Sequence, residues 1–443
     1  MFINRLKRLL DIRFTLISLI LTATIYLFYS QILSWGGYAG YILQAQNAFG
    51  SKFYDFVEIQ KVLYSFTEFQ RDPIYTPIGL PILINILSIF HNWNPLLIKL
   101  IVPISVFLLI IYSNKITKNS EYKFVYLLLP LNPGVVDEYR DTQTELPGVI
   151  FFLFGIYAEN KIFKITLFII ATLIRPPLVI AIFIYYIFVF FEEKKYLGGL
   201  SYFFAICSIY LILSEFFNIK FYGDYSNRGT KSSSLMQLYE HLITLDFVRF
   251  KFIFSELGRL FVGFTNSFNY YIGLIILVLL IIFRNKYSLM GLSYILFHFA
   301  WDAPYFVRYL LPVLIFFSLG CVEFVNKKKI NAKVFKLIVL FIFLIYAFQI
   351  GYQVSNLDTQ RGPYQEDSIE LFEYVNGSEY ELFSFHSPRV FRIFTEKSAY
   401  RLDTNLITDT VIICEYINDK CLIPEDYISE FKNNSFEVFV NNK

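Results

Sequence analysis

The stretch Ile162-Phe163-Lys164-Ile165-Thr166-Leu167-Phe168-Ile169-Ile170-Ala171-Thr172-Leu173-Ile174-Arg175-Pro176-Pro177-Leu178-Val179-Ile180-Ala181-Ile182-Phe183-Ile184-Tyr185-Tyr186-Ile187-Phe188-Val189-Phe190-Phe191 decides the fold. It would be one continuous apolar run but for Arg175-Pro176-Pro177. Prolines cannot propagate a helix, so the run divides into two membrane spans, about 162–176 and 176–192. An arginine near membrane depth is costly unless paired or functional. Arg175 therefore either marks a simple turn between spans or holds a lipid-linked phosphate.

Apolar runs of this kind recur from Phe14 to Gln353 in a chain of 443 residues. With 56% hydrophobic and 17% charged residues, the composition excludes an ordinary soluble protein, in which roughly 45–50% and 25% are usual. Further spans are expected at about 14–32, 96–114, 122–135, 146–159, 196–216, 269–284, 287–301, 308–325 and 333–352. The sequence thus predicts a mainly α, polytopic helical membrane protein of about eleven transmembrane helices. The apolar piece Gly79 to Phe90 is too short to cross and is read as a non-spanning hairpin.

Orientation follows from the short loops. With the N-terminus cytoplasmic, Lys115/Lys118/Lys123, Lys161/Lys164, Lys194/Lys195, Arg284/Lys286 and Lys327/Lys328/Lys329/Lys333 all fall inside. Twelve spans would scatter these clusters over both sides. The net charge of +3 hides an asymmetry. From Gln353 onward 16 Asp and Glu face 8 Lys and Arg, a net of −8, which leaves +11 on residues 1–352. Residues 1–352 are therefore read as the membrane domain and 353–443 as an acidic extracytoplasmic domain. In the latter, β-like runs at Tyr380–Phe385, Thr410–Tyr416 and Phe436–Val440 and a helix capped by Asp367 predict a small α/β fold. Abundant Phe, Ile, Lys, Asn and Tyr fit an AT-rich genome and a bacterial inner (plasma) membrane. The basic residues lie in short clusters between apolar runs, so no nucleic-acid partner is implied.

Chemistry is expected on the outward pieces. Asn132-Pro133-Gly134-Val135-Val136-Asp137-Glu138-Tyr139-Arg140-Asp141-Thr142-Gln143-Thr144-Glu145 packs four carboxylates and an arginine at a membrane boundary. A solvated turn with helix-start acids is one reading, and a working acid is the other. Arg71-Asp72-Pro73-Ile74-Tyr75-Thr76-Pro77-Ile78-Gly79-Leu80-Pro81 leads into the hairpin. Asp302 and Arg308 offer either a pair or a site. Cys207 and Cys321 read as inert core residues, while Cys414 and Cys421 are candidates for a disulfide outside the membrane. No metal signature, Gly-rich phosphate loop or Gly-x-Ser-x-Gly motif is present.

Taken together, these residues resemble the GT-C superfamily of integral membrane glycosyltransferases, which includes the protein mannosyltransferases and the aminoarabinose transferases. The resemblance rests on Gly37-Tyr38-Ala39-Gly40-Tyr41 through Ala48-Phe49-Gly50, Tyr75-Thr76-Pro77-Ile78-Gly79-Leu80-Pro81, the acidic turn ending in Glu145, Ile174-Arg175-Pro176, Arg308-Tyr309-Leu310-Leu311-Pro312, Ser387-Pro388-Arg389 and Phe436-Glu437-Val438-Phe439. It implies a polyprenyl-phosphate-linked sugar as donor, a lipid, glycan or protein acceptor, inversion at the anomeric carbon and no cofactor. It also implies Arg175, Arg308, Arg71 and Arg140 as donor-phosphate ligands. The family usually places an Asp about four residues before the position of Tyr41, where this chain has Gly36-Gly37. The candidate bases are then Asp72 and Asp141, followed by Asp137 and Glu145. Two other classes stay open. One is a lipid-linked oligosaccharide polymerase or ligase using Arg228, His241, Arg249 or Arg259. The other is a transporter or inactive relative that binds lipid-linked glycan.

Overall fold

A computed structural model describes residues 12–29, 41–42, 45, 79–118, 120–140, 144–193, 198–216, 247–263, 268–300, 307–385, 391, 395, 397–401, 411–415 and 423–441. The chain divides into two compact units. The first comprises residues 1–29, 74–80 and 99–350, and the second residues 30–73, 81–98 and 351–443.

The helices in chain order are α1 (Ile12–Tyr29), α2 (Gly79–Ile86), α3 (Ser88–His91), α4 (Pro95–Ile98), α5 (Ile101–Ile116), α6 (Pro133–Arg140), α7 (Glu145–Tyr157), α8 (Lys161–Ile174), α9 (Leu178–Glu193), α10 (Gly198–Phe216), α11 (Phe247–Val262), α12 (Asn269–Phe283), α13 (Lys286–Ala300), α14 (Leu311–Lys328) and α15 (Ala332–Gly377). Among the described residues, two 3-10 turns, Lys123–Leu128 and Val307–Leu310, interrupt them. The segment expected to span at 122–135 is not one helix. Pro130 and Pro133 break it into the first 3-10 turn and α6, because neither residue has an N–H to continue the ladder. The apolar piece read as a hairpin is the pair of short helices α2 and α3. Among the described residues, Arg308–Lys328 and Ala332–Tyr352 are by themselves long and apolar enough to cross a membrane.

In the first unit α7 packs against α5, α8, α9 and α14. Its Phe152 lies 5.6 Å, centroid to centroid, from both Phe168 of α8 and Phe316 of α14. Helix α11 packs closely on α12 through two glycines. A Cβ on Gly258 would stand 1.9 Å from the Asn269 carbonyl oxygen, and one on Gly273 would stand 2.0 Å from that of Phe254. The C-terminal end of α11 has carbonyls with no helical partner, and side chains satisfy them. Asn132 Nδ2 donates to Leu260 O at 2.9 Å, and the Tyr346 hydroxyl donates to Phe261 O at 2.6 Å.

The second unit carries a five-stranded sheet of β1 (Leu382–Phe385), β2 (Ser398–Arg401), β3 (Val411–Glu415), β4 (Tyr427–Lys432) and β5 (Phe436–Asn441), in the order β2-β1-β3-β5-β4. Strand β1 runs parallel to β2 and β3, whereas β5 is antiparallel to β3 and β4. Leu371, Phe372 and Val375 of α15 bury against Phe383, Phe385, Phe391, Ile413 and Phe436. The capping role expected of Asp367 is not what the structure shows. Helix α15 continues through it, and its carboxylate accepts from the Ser435 hydroxyl while Asn433 Nδ2 donates to its carbonyl at 2.8 Å. Cys414 of β3 is disulfide-bonded, Cys207 and Cys321 are free, and Cys421 lies outside the described residues.

Candidate active site

The site is built around the break between α8 and α9. The Arg175 N–H donates to Ala171 O at 2.8 Å and closes the last turn of α8. Its own backbone then leaves the helix (φ −138°, ψ 90°) because a following proline disfavours the α region. Arg175 O and Pro176 O accept from Leu178 N and Val179 N at 3.0 Å each, which starts α9. The double proline thus plants a guanidinium inside the bundle, where Arg175 is only 2% exposed.

Burying this charge is expensive unless it is paired, and each side of the guanidinium is engaged. Glu145, the first residue of α7 and also buried, places Oε1 3.3 Å from Nη1. Its Oε2 accepts from the Thr144 hydroxyl at 3.4 Å. Gly148, one turn further along α7, allows this approach, since a Cβ there would stand 2.7 Å from the Arg175 Cβ. Gly79 meets the same corner, where a Cβ would come within 2.5 Å of the Ile174 backbone nitrogen. The guanidinium Nε donates to the hydroxyl of Tyr294, a fully buried residue of α13, at 3.3 Å. One turn on, His298 Nδ1 lies 2.8 Å from Tyr294 O, and the two ring centroids are 4.8 Å apart with the planes tilted by 37°.

The aromatic face of Tyr309 joins a second cation to the first. The Arg175 Cζ lies 5.0 Å from its ring centroid and the Arg308 Cζ 5.2 Å from the same centroid. Both residues of the 3-10 turn, Arg308 and Tyr309, are half-buried. The cluster therefore holds two guanidiniums and one paired carboxylate in a poorly hydrated corner, an arrangement suited to an anion.

A second acid stands on α11, which packs against the Val307–Leu310 turn and against α6. Glu256 is 9% exposed, and its Oε1 lies 3.7 Å from Nη1 of the half-exposed Arg259. Its Oε2 has no hydrogen-bond partner among the described residues. Burial pushes this carboxyl above the usual range, and Arg259 pulls it back in part.

The structure brings Arg175 and Glu145 together and sets Arg308 on the ring that Arg175 also meets. Asp137 and Arg140 lie on α6, but their side chains are outside the described residues, as are Asp72, Arg71, Asp141 and the Gly36-Gly37 segment. Sequence reasoning passed over Tyr294, His298, Tyr309 and Glu256, and did not choose Glu138, which is 1% exposed on α6. Tyr309 carried a usable signal, its place beside Arg308. Tyr294 and His298, spaced i and i+4 in an apolar run, looked like any core pair. Among the described residues no three His, Cys, Asp or Glu side chains converge as a metal site.

No protein-family profile and no curated protein matches the chain. Among solved structures, it superposes on the crystal structure of ArnT from Cupriavidus metallidurans in the apo state, with a TM-score of 0.53 and 10% identity. The match covers 95% of this chain and 96% of that one. The chain has the fold of ArnT. A mainly helical body with a small appended sheet domain is the fold that the resemblance implied. Because the ArnT match runs nearly end to end, both units belong to the shared architecture.

Proposed function

We propose that the chain is a membrane glycosyltransferase that moves a sugar from a polyprenyl-phosphate donor to a cell-envelope glycan, lipid or protein. Transfer takes place on the outer face, with inversion. The observation that carries this reading is the Arg175–Glu145 pair, buried at the α8–α9 break of a chain with the ArnT fold. Arg175 and Arg308, with Arg71 and Arg140, hold the donor phosphate, and Glu145 keeps the Arg175 fork aimed. The acceptor oxygen attacks the anomeric carbon from the face opposite the phosphate. As the new C–O bond forms, the old bond breaks, and its electron pair leaves on the phosphate oxygen, which the guanidiniums stabilise. The acceptor's proton passes to an outer-loop carboxylate, Asp72 or Asp141 before Asp137.

The test is to supply the purified protein with a panel of radiolabelled polyprenyl-phosphate sugars and envelope acceptors. Transfer from at least one donor is expected, and Asp72→Asn or Asp141→Asn should abolish it without reducing the yield of folded protein. A wild-type protein that turns over no donor would overturn the transferase reading. Full activity in both single variants and the double would overturn the base assignment alone.

A further inference from the structure

The close backbone contact of α11 with α12 fixes where Glu256 points. Phe254 and Gly258 mark the face that meets α12, through the contacts with Gly273 and Asn269. At 3.6 residues per turn, residue 256 lies on the opposite side of the helix from the midpoint of those two. Leu260, one turn beyond Glu256 on the same side, has its Cδ1 against Gly134 of α6. Glu256 therefore faces away from α12, and it is still nine-tenths buried. The neighbours of α11 besides α12 include α6 and the 3-10 turn that carries Arg308 and Tyr309. One carboxylate oxygen on that face is without a hydrogen-bond partner among the described residues. The ion pair on the other oxygen is long and shared with a half-exposed arginine, so it offsets little of the cost of burial.

An acceptor group kept buried with an open oxygen, on a helix that packs against the turn bearing Arg308, suits a neutral donor of hydrogen bonds. We propose that Glu256 accepts a hydrogen bond from a hydroxyl group of a bound sugar, either the one transferred or one on the acceptor. It is a binding residue that selects the sugar rather than the base of the reaction. This inference rests on the transferase reading above and goes beyond it by naming a specificity-determining residue.

The experiment uses the full-length protein in proteoliposomes with whichever donor and acceptor the panel identifies. Glu256→Gln and Glu256→Ala are compared with wild type, varying the donor at saturating acceptor and then the reverse. Loss of a hydrogen bond to a charged group predicts a KM roughly 10-fold to 100-fold higher for one of the two substrates, with kcat within about threefold. Which substrate shows the rise identifies the source of the hydroxyl. Glu256→Asp should restore part of the affinity. One deoxy analogue of that substrate should bind wild type as weakly as the natural sugar binds Glu256→Gln, and should lose nothing further in the variant. Because Glu256→Gln removes a buried charge, its melting temperature should equal or exceed that of wild type. A merely structural carboxylate would show the reverse, a lower melting temperature with no change in KM.

The proposal is overturned if KM for both substrates is unchanged, or if Arg259→Gln reproduces the whole effect, since the carboxylate would then act through its ion pair. If wild type turns over no donor at all, the transferase reading fails and this one with it. A working wild type with an indifferent Glu256→Gln sinks only the Glu256 assignment.

Discussion

The Arg175–Glu145 pair gives the sharpest test of whether the site is held together as described. At 3.3 Å, two unit charges attract by about 5 kcal/mol for an effective dielectric constant of about 20. That gain is largely cancelled by desolvation in the intact pair, but it becomes visible when one partner is removed. Glu145→Gln leaves the Arg175 charge buried at 2% exposure, and Arg175→Met leaves the carboxylate buried. Each single change should cost about 3–5 kcal/mol of stability. The double variant, with a neutral amide beside an unbranched apolar chain of similar length, should cost only about 1–2 kcal/mol, because no buried charge is stranded. The expected coupling is therefore at least about 3 kcal/mol, well above the few tenths by which independent sites depart from additivity. Chemical denaturation in fixed detergent, followed by the accessibility of the free thiols Cys207 and Cys321, supplies the four stabilities of the cycle. Sugar transfer supplies the second readout. The double variant should fold nearly as well as wild type and still fail to transfer, since the donor phosphate has lost a guanidinium. Single-variant losses that simply add, with coupling below about 1 kcal/mol, would refute the buried pair. A double variant with wild-type turnover would remove Arg175 from the phosphate site.

Two further outcomes follow from packing and from titration. Gly258→Ala or Gly273→Ala drives a Cβ to within about 2 Å of a backbone carbonyl oxygen, which no rotamer can relieve. Each should cost roughly 3 kcal/mol or more in the same denaturation assay, whereas Gly351→Ala, with nothing within 4 Å, should be neutral or gain up to about 1 kcal/mol of helix propensity. In the second unit, burial and then the charge of Glu430 push the Tyr374 hydroxyl up to about 12. The folded state therefore keeps a proton that the unfolded state releases above about pH 10, so the sheet domain should lose stability as pH rises from about 10 to 12. Tyr374→Phe should remove that loss in an alkaline unfolding series.

Much of the fold could be read from the sequence because bilayer burial needs runs of apolar residues, and those runs are plain along the chain. Three elements escaped for identifiable reasons. Helix α11 carries Arg249, Lys251, Glu256 and Arg259, so no span is expected there, although Ile253, Leu257 and Leu260 form a buried stripe. The stretch 122–135 has the hydropathy of a span, yet Pro130 and Pro133 deny it the backbone of one. Helix α15 runs on past the expected domain boundary at 352 as far as Gly377, through Gly362-Pro363, residues that disfavour a helix interior. In each case composition was legible, but the competing backbone constraint or tertiary face was not.

The cost of burying charge found half of the site and was blind to the rest. That cost made Arg175, Arg308 and Glu145 stand out, because a charged group among apolar neighbours needs a reason to be there. The same logic has no purchase on Tyr294 or Tyr309, since a tyrosine in an apolar run costs little and reads as core or interface. Yet these residues give the guanidiniums their geometry. The Tyr294 hydroxyl takes the Arg175 Nε, Glu145 meets its Nη1, and the Tyr309 ring sets how far apart Arg175 and Arg308 stand. The contact of Arg175 with Tyr294 joins residues 119 positions apart, and no local spacing encodes it. Glu256 shows the converse failure. Its charge was visible, but four charged residues in one helix made it look solvated, and only the packing of α11 shows it to be buried. A charged residue in a polar segment is thus the most informative one to find buried, because the sequence offered it water and the fold withdrew it.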